Sequence, residues 1–136
     1  MEGRRVSDGL RPYPRYVLGD DGRGILVEEF EYQTDVLGYS IRTQYILLTR
    51  VGYLAISKGY VWDFGSGPAI NSPPVVVASL VHDALYDLMA QNLLPRSARS
   101  AADREFRKML RQYGAWWLRS WYMWAAVRVG GIFYGR

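Results

Sequence analysis

His82 is the only histidine of the chain, and it opens the run His82-Asp83-Ala84-Leu85-Tyr86 inside an otherwise apolar stretch. On a helix this spacing puts His82 and Tyr86 on one face, a turn apart, with Asp83 beside them. An imidazole and a carboxylate in such a setting are costly unless hydrogen bonds or a counter-charge satisfy them. Asp103 sits at the head of the next expected helix and reaches the ring if the two helices run antiparallel. A carboxylate so placed fixes the tautomer of the ring. The loop before the first helix contains Gly65-Ser66-Gly67, and glycines let backbone oxygens approach a ligand closely. Such oxygens together with the Asp83 carboxylate suit a hard cation such as Ca2+. Asp63 is either a turn residue bonded to the backbone two positions on, or a group that reaches Ser66, His82 or a metal. The competing readings of the same residues are structural: a helix–sheet buttress in which His82 bonds a backbone carbonyl, or a polar cluster of His82, Asp83 and Asp103 that ties the helices together.

The elements that must position these groups follow from periodicity. Tyr16-Val17-Leu18 and Ile25 to Tyr32 flank the Gly19 to Gly24 cluster, which has the composition of a hairpin turn. Phe30 and Tyr32 alternate with Glu29 and Glu31, as in a half-buried strand. Tyr39 to Thr49, a turn at Arg50-Val51-Gly52, and Tyr53 to Ser57 extend the meander, with Tyr60-Val61-Trp62 continuing it. After Trp62 helix signals take over. Ser72 is a candidate N-cap with proline in the first turn, for a helix over about 73–91. Ser100-Ala101-Ala102-Asp103 matches a capping box for a second helix ending near Gly114, and a third is expected over about 115–129. The expected fold class is α+β: an N-terminal antiparallel sheet packed against about three C-terminal helices. It forms one domain, with strands mainly in 1–62, a Gly/Pro loop over 63–72 and helices over 73–136.

Composition limits the chemistry. The 136 residues are 49% hydrophobic and 22% charged, which suits one globular domain rather than a disordered tail. With no cysteine and one histidine, disulfides, thiolate metal sites and any site needing two imidazoles are excluded. Residues 1–95 carry 8 Lys and Arg against 11 Asp and Glu, whereas residues 96–136 carry 9 against 2. The basic end also holds Trp116, Trp117, Trp121 and Trp124 beside Arg119 and Arg128. Basic plus aromatic composition suits an anionic lipid surface, nucleic acid or an acidic partner, or simply an amphipathic helix with a buried tryptophan face. Nucleic acid is disfavoured, because no helix-turn-helix, zinc or single-strand-binding signature accompanies the charge. Arg104, Arg107, Lys108 and Arg111 read as a solvated helix face. No signal peptide and no membrane span are expected, since Arg119, Arg128 and Gly130-Gly131 interrupt the most apolar stretch.

Two resemblances add to this reading. Gly65-Ser66-Gly67, His82-Asp83-Ala84-Leu85-Tyr86 and Asp103-Arg104-Glu105-Phe106, in that order, resemble the phospholipase A2 active site and, without cysteines, the lipase segment of parvoviral capsid proteins. The resemblance implies His82 as general base, Asp103 as its orienter with Tyr86 in the catalytic group, and Asp83 with the Phe64, Gly65 and Gly67 carbonyls as calcium ligands. A wider resemblance is to the domain of unknown function 1353 of tailed phages and prophages. It rests on Gly59-Tyr60-Val61-Trp62-Asp63-Phe64-Gly65-Ser66-Gly67-Pro68, His82 to Tyr86, Ala102 to Phe106 and Val127-Arg128-Val129-Gly130. Here Trp62 stands where threonine is usual, Gly65 and Gly67 where alanine and valine are usual, and no arginine follows Pro68.

The expectation is a phage- or prophage-encoded protein, made in the host cytoplasm and incorporated into the virion as a tail-associated component. Either it bears a phospholipase A2-like site acting on the host envelope, with Ca2+ as the one cofactor, or it is a structural virion protein without one. Its partners are then other virion proteins, a second copy of itself, or the host membrane through Trp117, Trp121, Trp124, Arg119 and Arg128.

Overall fold

A computed structural model of the chain describes residues 12–63 and 73–114. Seven short strands precede two α-helices among these residues: β1 Tyr16–Leu18, β2 Gly24–Leu26, β3 Phe30–Gln33, β4 Ile41–Arg42, β5 Ile46–Leu48, β6 Tyr53–Ile56, β7 Val61–Trp62, α1 Pro73–Ala90 and α2 Arg99–Gln112. A 3-10 turn, Arg96–Ala98, leads into α2. The mixed α+β order is as the periodicity predicts, strands first and helices after. The third expected helix, over 115–129, lies outside the described residues, as does the expected Ser72 cap.

The strands form two antiparallel sheets instead of one meander, in the orders β1-β2-β7 and β3-β6-β5-β4. The expected strand over 25–32 is therefore divided. Ile25 pairs with Val17 and Val61 in the first sheet, whereas Phe30 pairs with Ile56 in the second. The division is made by backbone bonds from outside the run. Val27 N–H donates to Arg15 O, and Gly59 N–H donates to Leu26 O, so the segment is drawn from one sheet into the next. Gly52, with φ +87°, supplies the left-handed corner between β5 and β6, and a Cβ there would run into the Thr34 carbonyl.

The core lies between the sheets and the helices. Val75, Val76, Val77, Ala78, Leu80 and Val81 are all fully buried, so α1 has no solvent face from Val75 to Val81. A helix that is apolar all round is one packed on several sides. Here the sheets supply Leu48, Leu54, Ile56 and Trp62, and α2 supplies Ala102, Phe106, Met109 and Leu110. None of the described helices is long and apolar enough to cross a membrane.

Trp62 fastens the first sheet to α1. Its indole N–H donates to Ser79 Oγ at 3.2 Å, Ser79 Oγ donates to Val76 O, and its ring meets Tyr16 edge-on at 5.5 Å. Trp62→Phe is expected to cost about 1–2 kcal/mol, from one lost buried hydrogen bond and a small void. Urea unfolding of the two proteins checks this.

Candidate functional site

α1 and α2 pack together with their polar positions turned toward each other at one place. His82 Nε2 lies 2.8 Å from Asp103 Oδ1, and the Tyr86 hydroxyl donates to the same oxygen, also at 2.8 Å. Spacing on α1 accounts for the pair, since residues four apart share a face. The imidazole lies against the Tyr86 ring at 4.2 Å between centroids and against Phe106 at 5.1 Å. Two aromatic neighbours and one charged acceptor thus fix its plane. The side chains of His82 and Asp103 keep 27% and 38% of their surface, so the pair is open to solvent at one edge. Among the described residues no group engages His82 Nδ1.

Electrostatics keep this arrangement in one protonation pattern. Burial alone would raise the Asp103 carboxyl, but the bonds from His82 and Tyr86 and the nearby His82 and Arg99 charges hold it below the ordinary carboxylate range. Asp103 is therefore an acceptor at neutral pH. Burial, and the Asp103 carboxylate beside it, push the Tyr86 phenol up to about 12, so it stays a donor. Arg99 Nε donates to the Tyr86 oxygen at 3.3 Å, extending the chain of bonds to the surface. Tyr86→Phe removes one of the two donors to Asp103 and keeps the ring. It is expected to cost about 1–2 kcal/mol, the range for a bond to a charged group, read from the shift in the urea midpoint.

Asp103 was expected in a capping box with Ser100, and the structure corrects this. α2 begins at Arg99 after the 3-10 turn, its N-cap is Ala98, and no side chain caps it. Ser100 falls inside the first turn, and the Asp103 carboxylate faces His82 and Tyr86.

Asp83 occupies the neighbouring position on α1. Its Oδ2 accepts the Asp63 N–H at 3.2 Å, one helical turn beyond the place where Trp62 meets Ser79. Consecutive residues leaving β7 are thus pinned to consecutive turns of α1. Burial pushes the Asp83 carboxyl up to about 6, against the lowering effects of the Asp63 N–H and of His82. Of the expected calcium ligands only Asp83 is among the described residues. Phe64, Gly65 and Gly67 lie outside them, as do Ser66 and the basic aromatic set Arg119, Arg128, Trp117, Trp121 and Trp124. Among the described residues no three acidic or imidazole side chains gather around a common point. Calcium takes about 6–8 oxygens. Asp83 fits as one ligand, a half-buried carboxylate with Oδ1 unengaged among the described residues, and the remaining ligands are not among them.

Two polar groups escaped the sequence reading. The Tyr60 hydroxyl donates to Asp87 Oδ2 at 3.1 Å, one turn beyond Asp83. Glu105 is 2% exposed and accepts the Asp35 N–H at 2.6 Å, while Lys108 Nζ lies 3.2 Å from Glu105 Oε1 and 2.7 Å from Asp35 Oδ2. The sign was present: Glu105 falls on the stripe of Ala102, Phe106 and Met109, where a lone carboxylate requires a partner. Lys108 thereby leaves the expected solvated arginine face and becomes a half-buried ion-pair residue.

A family model described as Protein of unknown function (DUF1353) matches residues 39–127, well over half of the chain. It spans β4 through α2 and includes His82, Asp83, Tyr86 and Asp103. No curated protein matches the chain, and no solved structure does.

Proposed function

We propose a hydrolytic function for this chain, which belongs to the DUF1353 family, a family of unknown function. The reaction is cleavage of an acyl ester of a host-envelope glycerophospholipid by water, with His82 as general base. One observation carries the reading: Asp103 holds His82 Nε2 at 2.8 Å, Tyr86 braces the same carboxylate oxygen, and Nδ1 is left without a described partner.

In this arrangement Nδ1 takes a proton from a water molecule, whose oxygen adds to the ester carbonyl. The positive charge that forms on the ring is balanced by Asp103, and the ring then returns the proton to the departing alkoxide oxygen as the acyl carbon–oxygen bond breaks. The products are a fatty acid and a lysophospholipid. Asp83 would hold a divalent cation beside this centre, and a cation there would polarise the ester carbonyl. The resemblance to a family of tailed phages and prophages supports a virion, tail-associated role, in which an envelope lipid would be the surface it meets.

A second reading is favoured by a separate observation. Asp103 accepts two side-chain bonds and Asp83 accepts a backbone N–H, so each carboxylate is already partnered and the cluster serves a structural virion protein equally well. The readings separate on one assay. Vesicles of phosphatidylethanolamine and phosphatidylglycerol are incubated with the purified chain in calcium and in EDTA, and free fatty acid is measured by mass spectrometry. Release above the protein-free control in calcium is expected; no release in either buffer leaves the structural reading.

A further inference from the structure

A second candidate binding site lies away from His82, where β3 meets α2. Helical spacing puts Lys108 and Gln112 on the flank of α2 turned from Asp103. They form one wall of an open groove of about 330 Å³, with Glu31, Tyr32 and Gln33 of β3 and Tyr53 of β6 forming the other and Pro12 also lining it.

Four features of this groove point to the same ligand. First, β3 is the outer strand of its sheet. The register Phe30 to Ile56 and Tyr32 to Leu54, continued by the Thr34 N–H bond to Gly52 O, turns the backbone groups of alternate residues toward β6. Glu31 and Gln33, which line the groove, therefore direct their N–H and C=O away from β6. Second, the Gln33 amide nitrogen donates to Val51 O at 2.6 Å and to Thr34 O at 3.1 Å. Both partners are pure acceptors, so the orientation of this amide is fixed and its oxygen is presented as an acceptor. Third, Gln112 Oε1 accepts the Tyr32 hydroxyl at 3.2 Å, which leaves its NH2 as a donor on the facing wall. Fourth, Lys108 is neutralised by Asp35 and Glu105, whereas Glu31 has no ion-pair partner among the described residues.

A strand edge that pairs with no other described strand, one fixed acceptor, one facing donor, two tyrosine rings and a carboxylate with no ion-pair partner among the described residues complement an extended, basic peptide. We propose that this groove binds a basic segment of a partner protein by strand addition to β3, main chain against Glu31 and Gln33, a Lys or Arg side chain toward Glu31, and apolar side chains on Tyr32 and Tyr53. Main-chain pairing of this kind gives affinity, and the pockets for alternate side chains give selectivity. The site is independent of the hydrolytic reading, because none of its groups touches His82, Asp83 or Asp103.

The test selects displayed random octapeptides on the full chain and measures the winners on wild type, Glu31→Lys and Gln112→Ala. Enrichment of sequences that alternate basic and apolar residues is expected. Binding should fall at least about tenfold in Glu31→Lys, whose exposed position spares the fold, and measurably in Gln112→Ala. Binding should also slow hydrogen exchange at the Gln33 amide, and N-methylation of alternate peptide amides should abolish it. No enrichment, winners that bind Glu31→Lys as well as wild type, or winners that leave Gln33 exchange unchanged would each overturn the proposal. The last outcome includes ligands held only by side-chain amides and rings, such as saccharides.

Discussion

His82→Gln is expected to reduce ester hydrolysis by about 10²–10⁴-fold while leaving the chain folded, since general-base catalysis is worth that much and glutamine cannot take the proton. The substitution separates the two roles that His82 combines. Glutamine can still donate an amide N–H to Asp103, so the bond that braces α1 against α2 survives in part. The expected loss of stability is only about 1 kcal/mol, the net worth of a typical hydrogen bond. A Tm close to wild type with turnover at background is the predicted pattern, read by calorimetry and fatty-acid release on the same samples. The opposite pattern, a large drop in Tm and no turnover to lose in the wild type, belongs to a structural cluster.

Asp83→Asn is expected to stabilise the protein at pH 8 in EDTA, by about 1–3 kcal/mol. The sign follows from the direction of the shift. Burial raises the Asp83 carboxyl from 3.8 to about 6 in the folded chain. The folded state therefore holds a proton that the unfolded chain has released. The stability this group contributes is fully present below the unfolded value and is lost as pH rises through about 6. At pH 8 the group is a half-buried charge that the fold carries at a cost. Asparagine removes the charge and retains an oxygen for the Asp63 N–H, so the variant should gain where the wild type has lost. The gain should vanish by pH 4, where Asp83 itself is protonated in the fold. Urea midpoints at pH 4, 6 and 8 check both parts.

The centre of the site was legible in the sequence because its determinants are few and local. One histidine, a tyrosine one turn on, and an aspartate on the following helix allow antiparallel helices to satisfy the ring, and of the partners the sequence left open the 2.8 Å contacts select Asp103. The capping box was misread because a cap is a local signal that a tertiary contact can override. The turn at Arg96–Ala98 starts α2 early, and Asp103 finds stronger partners in His82 and Tyr86 than in its own backbone. The division of the 25–32 run was not legible, since no glycine or proline marks a break in it and only pairing with Val61 and Ile56, far along the chain, splits it. The Asp35, Glu105 and Lys108 cluster escaped for the same reason: Asp35 lies about seventy positions from the other two, and only the misplaced charge on the apolar stripe of α2 announced it.

The most direct test of the account is the tautomer of His82, which nitrogen-15 NMR reads without assignment because the chain has one histidine. At a pH where the ring is neutral, the proton is predicted on Nε2, held toward Asp103, with Nδ1 showing the shift of an unprotonated nitrogen, and this pattern should survive in Tyr86→Phe. A proton on Nδ1 would contradict the account, since the nitrogen assigned to take a proton from water would already carry one.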